Sequence, residues 1–308
     1  MSDWGKGVNN NIGWGQGGTN DIGWGSIYDK SNAGETLLSG GGFEGLLNKF
    51  PGASLGLSLR LLDRNYTGFC IKVRRSSNND ELDIGFVNNE LDTASLLDFV
   101  GSGNGFVSIW YDQSGEGNNL LQTSASYQPI IVKAGVLETE NGKPALNFDG
   151  INDFLLNTSF KLNPVPFTLF IVNKFNETDS IQHLIDQSEG SNAGYLFRTI
   201  QNDYDYYYYP DIIGVTVANS NTSQKLMSQL VADENQKFYL NSTLSASATT
   251  AINNNPIPTY DFVIGGDPDN SGERNADTFL QEVIIYKSNQ ESNITDIQEN
   301  INNHYSIY

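Results

Sequence analysis

Phe106-Val107-Ser108-Ile109-Trp110-Tyr111-Asp112-Gln113-Ser114-Gly115-Glu116-Gly117-Asn118-Asn119 decides how this chain reads. The first half alternates apolar and small side chains, the period of a half-buried strand. The second half is a polar, glycine-broken turn that places Asp112 and Gln113 at a sandwich edge. A strand that stops this abruptly in such a turn belongs to an antiparallel β structure.

Working toward the N-terminus, residues 58–64 and 68–75 form two apolar-basic runs around Asn65-Tyr66-Thr67-Gly68. Phe69, Ile71 and Val73 alternate with Cys70, Lys72 and Arg74, which predicts a strand with one wet face. Residues 91–99 predict a short helix, with Asp92 or Thr93 as its N-cap. Toward the C-terminus, short apolar stretches recur at 128–132, 145–148, 154–156, 167–173, 181–185, 195–199, 212–218, 225–231, 237–240, 262–264 and 279–286. Asn, Asp, Gly and Pro separate them, so the spacing predicts an antiparallel sandwich rather than alternating strands and helices. Ile294, Ile297 and Ile301 share one helical face and predict a last helix packed on the sandwich.

The first thirty residues differ in kind. Trp4-Gly5, Trp14-Gly15 and Trp24-Gly25 recur every ten residues, and Ile12-Gly13 matches Ile22-Gly23. A period so short and so rich in Gly and Asn cannot build a packed core. Trp4, Trp14, Trp24, Ile12 and Ile22 therefore read as an attachment segment that needs a partner surface, the competing reading being an unpacked, adhesive leader. Gly40-Gly41-Gly42 marks the boundary, giving a segment at 1–42 and a sandwich at 43–308.

Composition narrows the partners. The formal net charge is −19, with only 17 Lys and Arg in 308 residues, so a surface that neutralises nucleic-acid phosphates is excluded. A neutral glycan or a basic protein surface fits, as does plain solubility. Cys70 stands alone in an apolar run and reads as a small buried hydrophobe, and two histidines, His183 and His304, build no histidine-rich metal cluster. No basic region precedes an apolar one at the start, and no segment reaches the ~18 apolar residues of a membrane span. Neither signal-peptide export nor membrane insertion is expected.

Several stretches carry a resemblance: Ser58-Leu59-Arg60, Val73-Arg74-Arg75-Ser76-Ser77, Trp110 to Gly115 with Gly117-Asn118, and Ala145-Leu146-Asn147-Phe148-Asp149-Gly150. Ile264-Gly265-Gly266-Asp267, Phe279-Leu280-Gln281-Glu282 and Gln298-Glu299-Asn300-Ile301 continue it. Together these resemble the concanavalin A-like sandwich of the α-L-arabinofuranosidase B catalytic domain, over roughly residues 54–305. The resemblance implies an all-β, jelly-roll fold in which Asp267 takes the general-acid position. It also implies a Glu nucleophile between about Tyr195 and Ser223, about 5 Å from the acid as retaining glycosidases require. That window contains no Glu, only Asp203, Asp205 and Asp211 around Tyr206-Tyr207-Tyr208-Tyr209. Asp211 or Asp205 is the fallback nucleophile, with a shorter arm that displaces the attacking oxygen by more than about 1 Å. The family's vicinal cysteines are missing, and His183-Leu184-Ile185-Asp186 stands near their place.

Two further readings concern this region. A tyrosine pair such as Tyr206 and Tyr208 on an outer strand face makes a platform for sugar rings, with Asp186 and Asp267 as polar contacts; the same rings would otherwise fill core. Asp267-Pro268-Asp269-Asn270-Ser271-Gly272 has the acidic spacing of a calcium loop but Thr278 where the bidentate Glu should stand, so an Asx-rich hairpin is favoured over a calcium site at Asp267 and Asp269. No cofactor is otherwise expected.

Asn-Ile-Gly-Trp-Gly repeats followed by Trp24-Gly25-Ser26-Ile27-Tyr28 resemble the N-termini of structural proteins of tailed phages infecting Bacteroidetes. That resemblance implies a virion fibre, spike or decoration protein, assembled in the host cytoplasm and exposed on the particle. Its segment 1–42 would dock on other virion proteins, and its sandwich, commonly as a trimer, would contact host-surface carbohydrate. The alternatives are a retaining arabinofuranosidase-type hydrolase and a purely structural virion component.

Overall fold

The structure is a computed structural model of the chain, and it describes residues 43–162, 165–177, 180–188, 194–200, 203–209, 213–218, 223–252, 257–267 and 274–308. At 204–209 and 213–218 it describes the strand path alone. The expected attachment residues Trp4, Ile12, Trp14, Ile22 and Trp24 lie outside the described residues.

The strand Gly105–Trp110 is the fork of the fold. Val107, Ser108 and Trp110 are buried and Phe106 and Ile109 only partly, so the expected alternation holds at the start of the strand and breaks at Ser108, which a register shift against Ile71–Arg75 skips. One edge pairs with Ile71–Arg75, which pairs in turn with Glu81–Ile84. The other edge divides. Its start pairs with Ile130–Lys133 and its end with Leu120–Leu121.

From Ile130–Lys133 one branch runs through Leu146–Asp149, Asp277–Tyr286, Phe167–Phe175, Lys225–Ala232, Asn235–Leu240 and Thr243–Ala248. Leu55–Ser58 continues the line of Leu146–Asp149 along the same edge of Asp277–Tyr286. From Leu120–Leu121 the second branch runs through Leu155–Asn157, Phe262–Ile264, Gln182–Asp186, Gly194–Ile200, Asp203–Tyr209 and Ile213–Ala218. Every strand pairing among the described residues is antiparallel. The inner faces meet in a core where Phe167 of the first branch packs edge-on to Tyr195 of the second at 5.3 Å, and Phe197 stacks on Phe238 at 6.0 Å. This is the all-β antiparallel sandwich, and the helix Ile294–Tyr305 closes it as expected, laying Ile294, Ile297, Ile301 and Tyr305 over Phe170, Val172, Ile284 and Tyr286.

The turn follows the fork as expected, and its Asp112 and Gln113 are buried, 3% and 1% exposed. Asp112 accepts from the Gly56 and Asn118 amides at 2.8 and 2.9 Å, and Gln113 accepts from Leu62 while donating to the Ser58 and Arg60 carbonyls. These side chains supply the hydrogen bonds that a strand neighbour would give to residues 59–62. Of the 58–64 run, Ser58 ends the strand Leu55–Ser58 and Arg60 makes an isolated bridge to Glu90.

The expected wet face of 69–75 is also corrected. Arg74 is buried, its Nε donating to Gln128 Oε1 at 2.7 Å and its guanidinium lying 4.7 Å from the Phe106 ring centre, while Phe69 is the exposed residue. The helix Thr93–Val100 forms with Asp92 as its cap, accepting from the Ser95 amide at 3.0 Å. Cys70 is fully buried, and burial pushes its thiol well above the ordinary range, away from nucleophilic chemistry. No helix among the described residues is long and apolar enough to cross a membrane.

Candidate functional site

Asp267 is delivered by a tight backbone approach. Gly265, at φ +85°, lies so close to the Phe148 ring that a Cβ there would stand 2.4 Å from it, and a Cβ on Gly266 would stand 2.5 Å from Asn275 Oδ1. The two glycines let the end of Phe262–Ile264 run against its neighbours. Asp267 thereby reaches the strand Gln182–Asp186.

There it meets His183 and Asp186. His183 Nδ1 is 2.6 Å from Asp186 Oδ2 and 4.0 Å from Asp267 Oδ2, and the three ligand atoms lie within 4.8 Å of one another. Asp186 also accepts from the Ser188 amide at 2.8 Å, and Arg274 Nη1 stands 3.3 Å from Asp267 Oδ2. The two carboxylates are 1% and 5% exposed. His183 is a core histidine, and its Nε2 finds no hydrogen bond among the described residues.

A nitrogen with two carboxylates is a donor set that divalent cations accept. Metal bonds of ~2.0–2.2 Å hold neighbouring ligand atoms about 3 Å apart, however, so a 2.6 Å contact is filled by a proton. As it stands, the cluster is a hydrogen-bonded junction.

The other expected site residues fall as follows. Asp211 and Asp269 lie outside the described residues. Tyr206 pairs with Phe197 and Val215, and Tyr208 with Tyr195 and Ile213; their side chains lie outside the described residues, so the platform reading stays an expectation.

An open site lies elsewhere, on the outer face of the first branch at the end away from the terminal helix. Strand register sets Arg74, Phe106, Ile130, Asn147, Phe279 and Lys174 side by side across six strands. Beside that row, Asp149 pairs with Asp277. These strands border a cleft of about 520 Å³, with Phe106, Ile130 and Gln128 among its lining and Asn147, Asp149, Asp153, Lys133, Asn176 and Asp277 around them.

The acidic wall is built locally. Asp149 Oδ1 accepts from the amides of Ile151 and Asn152 at 2.8 and 3.1 Å, while Asp153 Oδ2 accepts from the Asp149 amide at 3.1 Å. Burial, and then the charge of Asp149, push the Asp153 carboxyl up to about 7. In the sequence, residues 145–150 carry only the fold resemblance and no expected site. The available signal was Asn147 and Asp149 alternating with core Leu146 and Phe148.

No protein-family model matches the chain, and no curated protein matches it. Solved structures do. An arabinofuranosidase complexed with arabinofuranosyl-α-1,2-xylobiose superposes with a TM-score of 0.58 at 15% identity, covering 81% of this chain and 62% of that one. A GH54 α-L-arabinofuranosidase soaked with a cyclic sulfate inhibitor gives 0.58 at 14% identity with the same coverage, 81% and 62%. A looser likeness, TM-score 0.45 at 12% identity over 64% of this chain and 49% of that one, is to the receptor binding domain of botulinum neurotoxin D. The first two show the sandwich fold, and this chain spans about 62% of their length.

Proposed function

We propose that the chain is a virion structural protein of a tailed phage, a fibre, spike or decoration, whose lectin-like sandwich contacts carbohydrate on the host surface. The observation that carries the carbohydrate reading is the open cleft on the sheet's outer face. Amides and carboxylates suited to sugar hydroxyls surround a floor containing Phe106 and Ile130, the mixture of apolar surface and convergent polar groups that holds a saccharide. Asp186 and Asp267, buried and already bonded, offer a sugar little to reach, so this reading moves the contact to Asn147, Asp149 and Asp277.

The virion part rests on the Trp-Gly repeat. Residues 1–42 dock on other virion proteins through Trp4, Trp14, Trp24, Ile12 and Ile22, and residues 43–308 form the presented body, assembled as a trimer on the particle surface.

A second reading has one observation in its favour. Carboxylate oxygens of Asp186 and Asp267 lie within 4.8 Å, near the ~5 Å separation of a retaining pair. Against it, His183 stands between them, and both accept hydrogen bonds where catalysis needs one free nucleophile and one proton donor.

Antibody labelling of intact particles, together with binding of the full chain to host-envelope polysaccharide, tests the proposal. Labelled particles and binding weakened about tenfold by Asn147→Ala or Asp277→Asn support it. Release of arabinose that Asp267→Asn abolishes would restore the hydrolase. Labelled particles without polysaccharide binding would leave a purely structural component.

A further inference from the structure

A second depression, of about 420 Å³, lies where the loop before Ile71–Arg75 meets the hairpin Phe86–Val87/Glu90–Leu91. Tyr66, Phe69 and Phe86 line it, and none of its lining residues carries a charge. Phe69 is 48% exposed although it adjoins fully buried Cys70, so the fold spends an aromatic ring on solvent here.

The rings are held in place. The Tyr66 hydroxyl donates to the Phe69 carbonyl at 2.8 Å, and the Tyr66 and Phe86 rings meet edge-on at 6.3 Å. Phe69 leans on Tyr111 at 6.2 Å, whose hydroxyl is tied to Asp83 at 2.6 Å. Gly68 lies against the Tyr66 ring: a Cβ there would stand 2.5 Å from the Tyr66 hydroxyl oxygen and would have to displace it. At the rim, Asn88 and Asn89 form the hairpin turn with φ of 51° and 66°, and their side-chain amides make no hydrogen bond among the described residues.

We infer that this depression is a second saccharide subsite, taking one or two rings of an uncharged sugar against Phe69, with Asn88 and Asn89 bonding its hydroxyls. Three features select that ligand. Immobilised rings stack on the apolar face of a sugar with little ordering entropy lost. Free amides supply donor and acceptor together, as a hydroxyl pair requires. The uncharged lining gives an acidic or cationic ligand no counter-charge. The inference stands on this geometry alone, whether or not the sheet-face cleft binds.

The test titrates the full chain, with 13C-labelled Phe and Tyr, with neutral hexasaccharides of xylose, mannose, glucose and arabinose, following aromatic NMR signals. At least one should shift the Phe69 and Phe86 signals saturably. Phe69→Ala and Asn88→Ala should each weaken that binding about tenfold, while Phe69→Tyr keeps it. Phe69 is half-exposed, so its loss should leave the unfolding midpoint near wild type, separating lost binding from lost fold. Asn147→Ala in the other cleft should leave these shifts unchanged. No saturable shift at Phe69 and Phe86 with any sugar, or affinities within twofold of wild type in both Phe69→Ala and Asn88→Ala, would overturn the inference.

Discussion

Asp153 carries the clearest single-residue consequence. Burial, then Asp149, raise its carboxyl to about 7, above the ~4 it has in an unfolded chain. The folded state therefore binds this proton more tightly, so the associated stability is complete below pH ~4 and is lost as pH rises through about 7. Asp153→Asn keeps the shape without the charge. We expect its thermal midpoint to exceed wild type at pH 8 and to match it at pH 4, read by calorimetry at both values; equal midpoints at pH 8 would place Asp153 in ordinary solvent. Gly265 is the second such residue. At φ +85° with Phe148 directly against it, Gly265→Ala combines backbone strain with a clash in the core. A loss of about 3 kcal/mol or more is expected in denaturant unfolding.

At the scale of elements, the terminal helix packs through its apolar face and is also tied to a buried ion pair. Arg60 grips Glu282 with two bonds, Nε at 2.8 Å and Nη2 at 3.0 Å, and reaches Asn300 on the helix at 3.1 Å. Ser58 Oγ and the Tyr305 hydroxyl complete the shell around Glu282 at 2.7 and 3.2 Å. Removing one partner strands the other charge, so Glu282→Ala should lose about 3–5 kcal/mol, and Arg60→Met with Glu282→Leu together should lose less than either change alone. Urea titrations of Glu282→Ala, of Arg60→Met and Glu282→Leu singly and of the double variant decide it; a double mutant as unstable as the sum of its two single changes would mean the pair acts through packing alone. The helix itself was legible in its isoleucine spacing, and Thr93–Val100 in its Asp92 cap, because both signals are local. The grip was not, since Arg60 and Glu282 are separated by 222 residues and only the folded sheet joins them. Gln113 reads as a turn residue and Asn147 as a strand residue. Nothing local shows that one bonds the backbone of residues 58–62 from its turn and that the other, paired with Phe279 on the next strand, lines a cleft.

The whole molecule is governed by its charge of −19. Surplus like charge repels itself in the compact state, and salt shortens the range of that repulsion to a Debye length of about 10 Å at 0.1 M. Raising sodium chloride from about 10 mM to about 200 mM should therefore lift the unfolding midpoint by a few degrees, the opposite of what a fold resting on surface ion pairs would show. The same field sorts ligands. Asp149, Asp153 and Asp277 border the sheet-face cleft with Lys133 as the cation among its lining residues, and the second depression has no charged lining, so neither invites an acidic polysaccharide. On immobilised protein at about 20 mM salt and pH 8, neutral arabinan should be retained well above polygalacturonate. The gap should narrow at about 300 mM, because screening removes the repulsion and leaves hydroxyl contacts untouched. Polygalacturonate retained more strongly at low salt would reveal a basic surface that the described residues do not show, and with it a different class of partner.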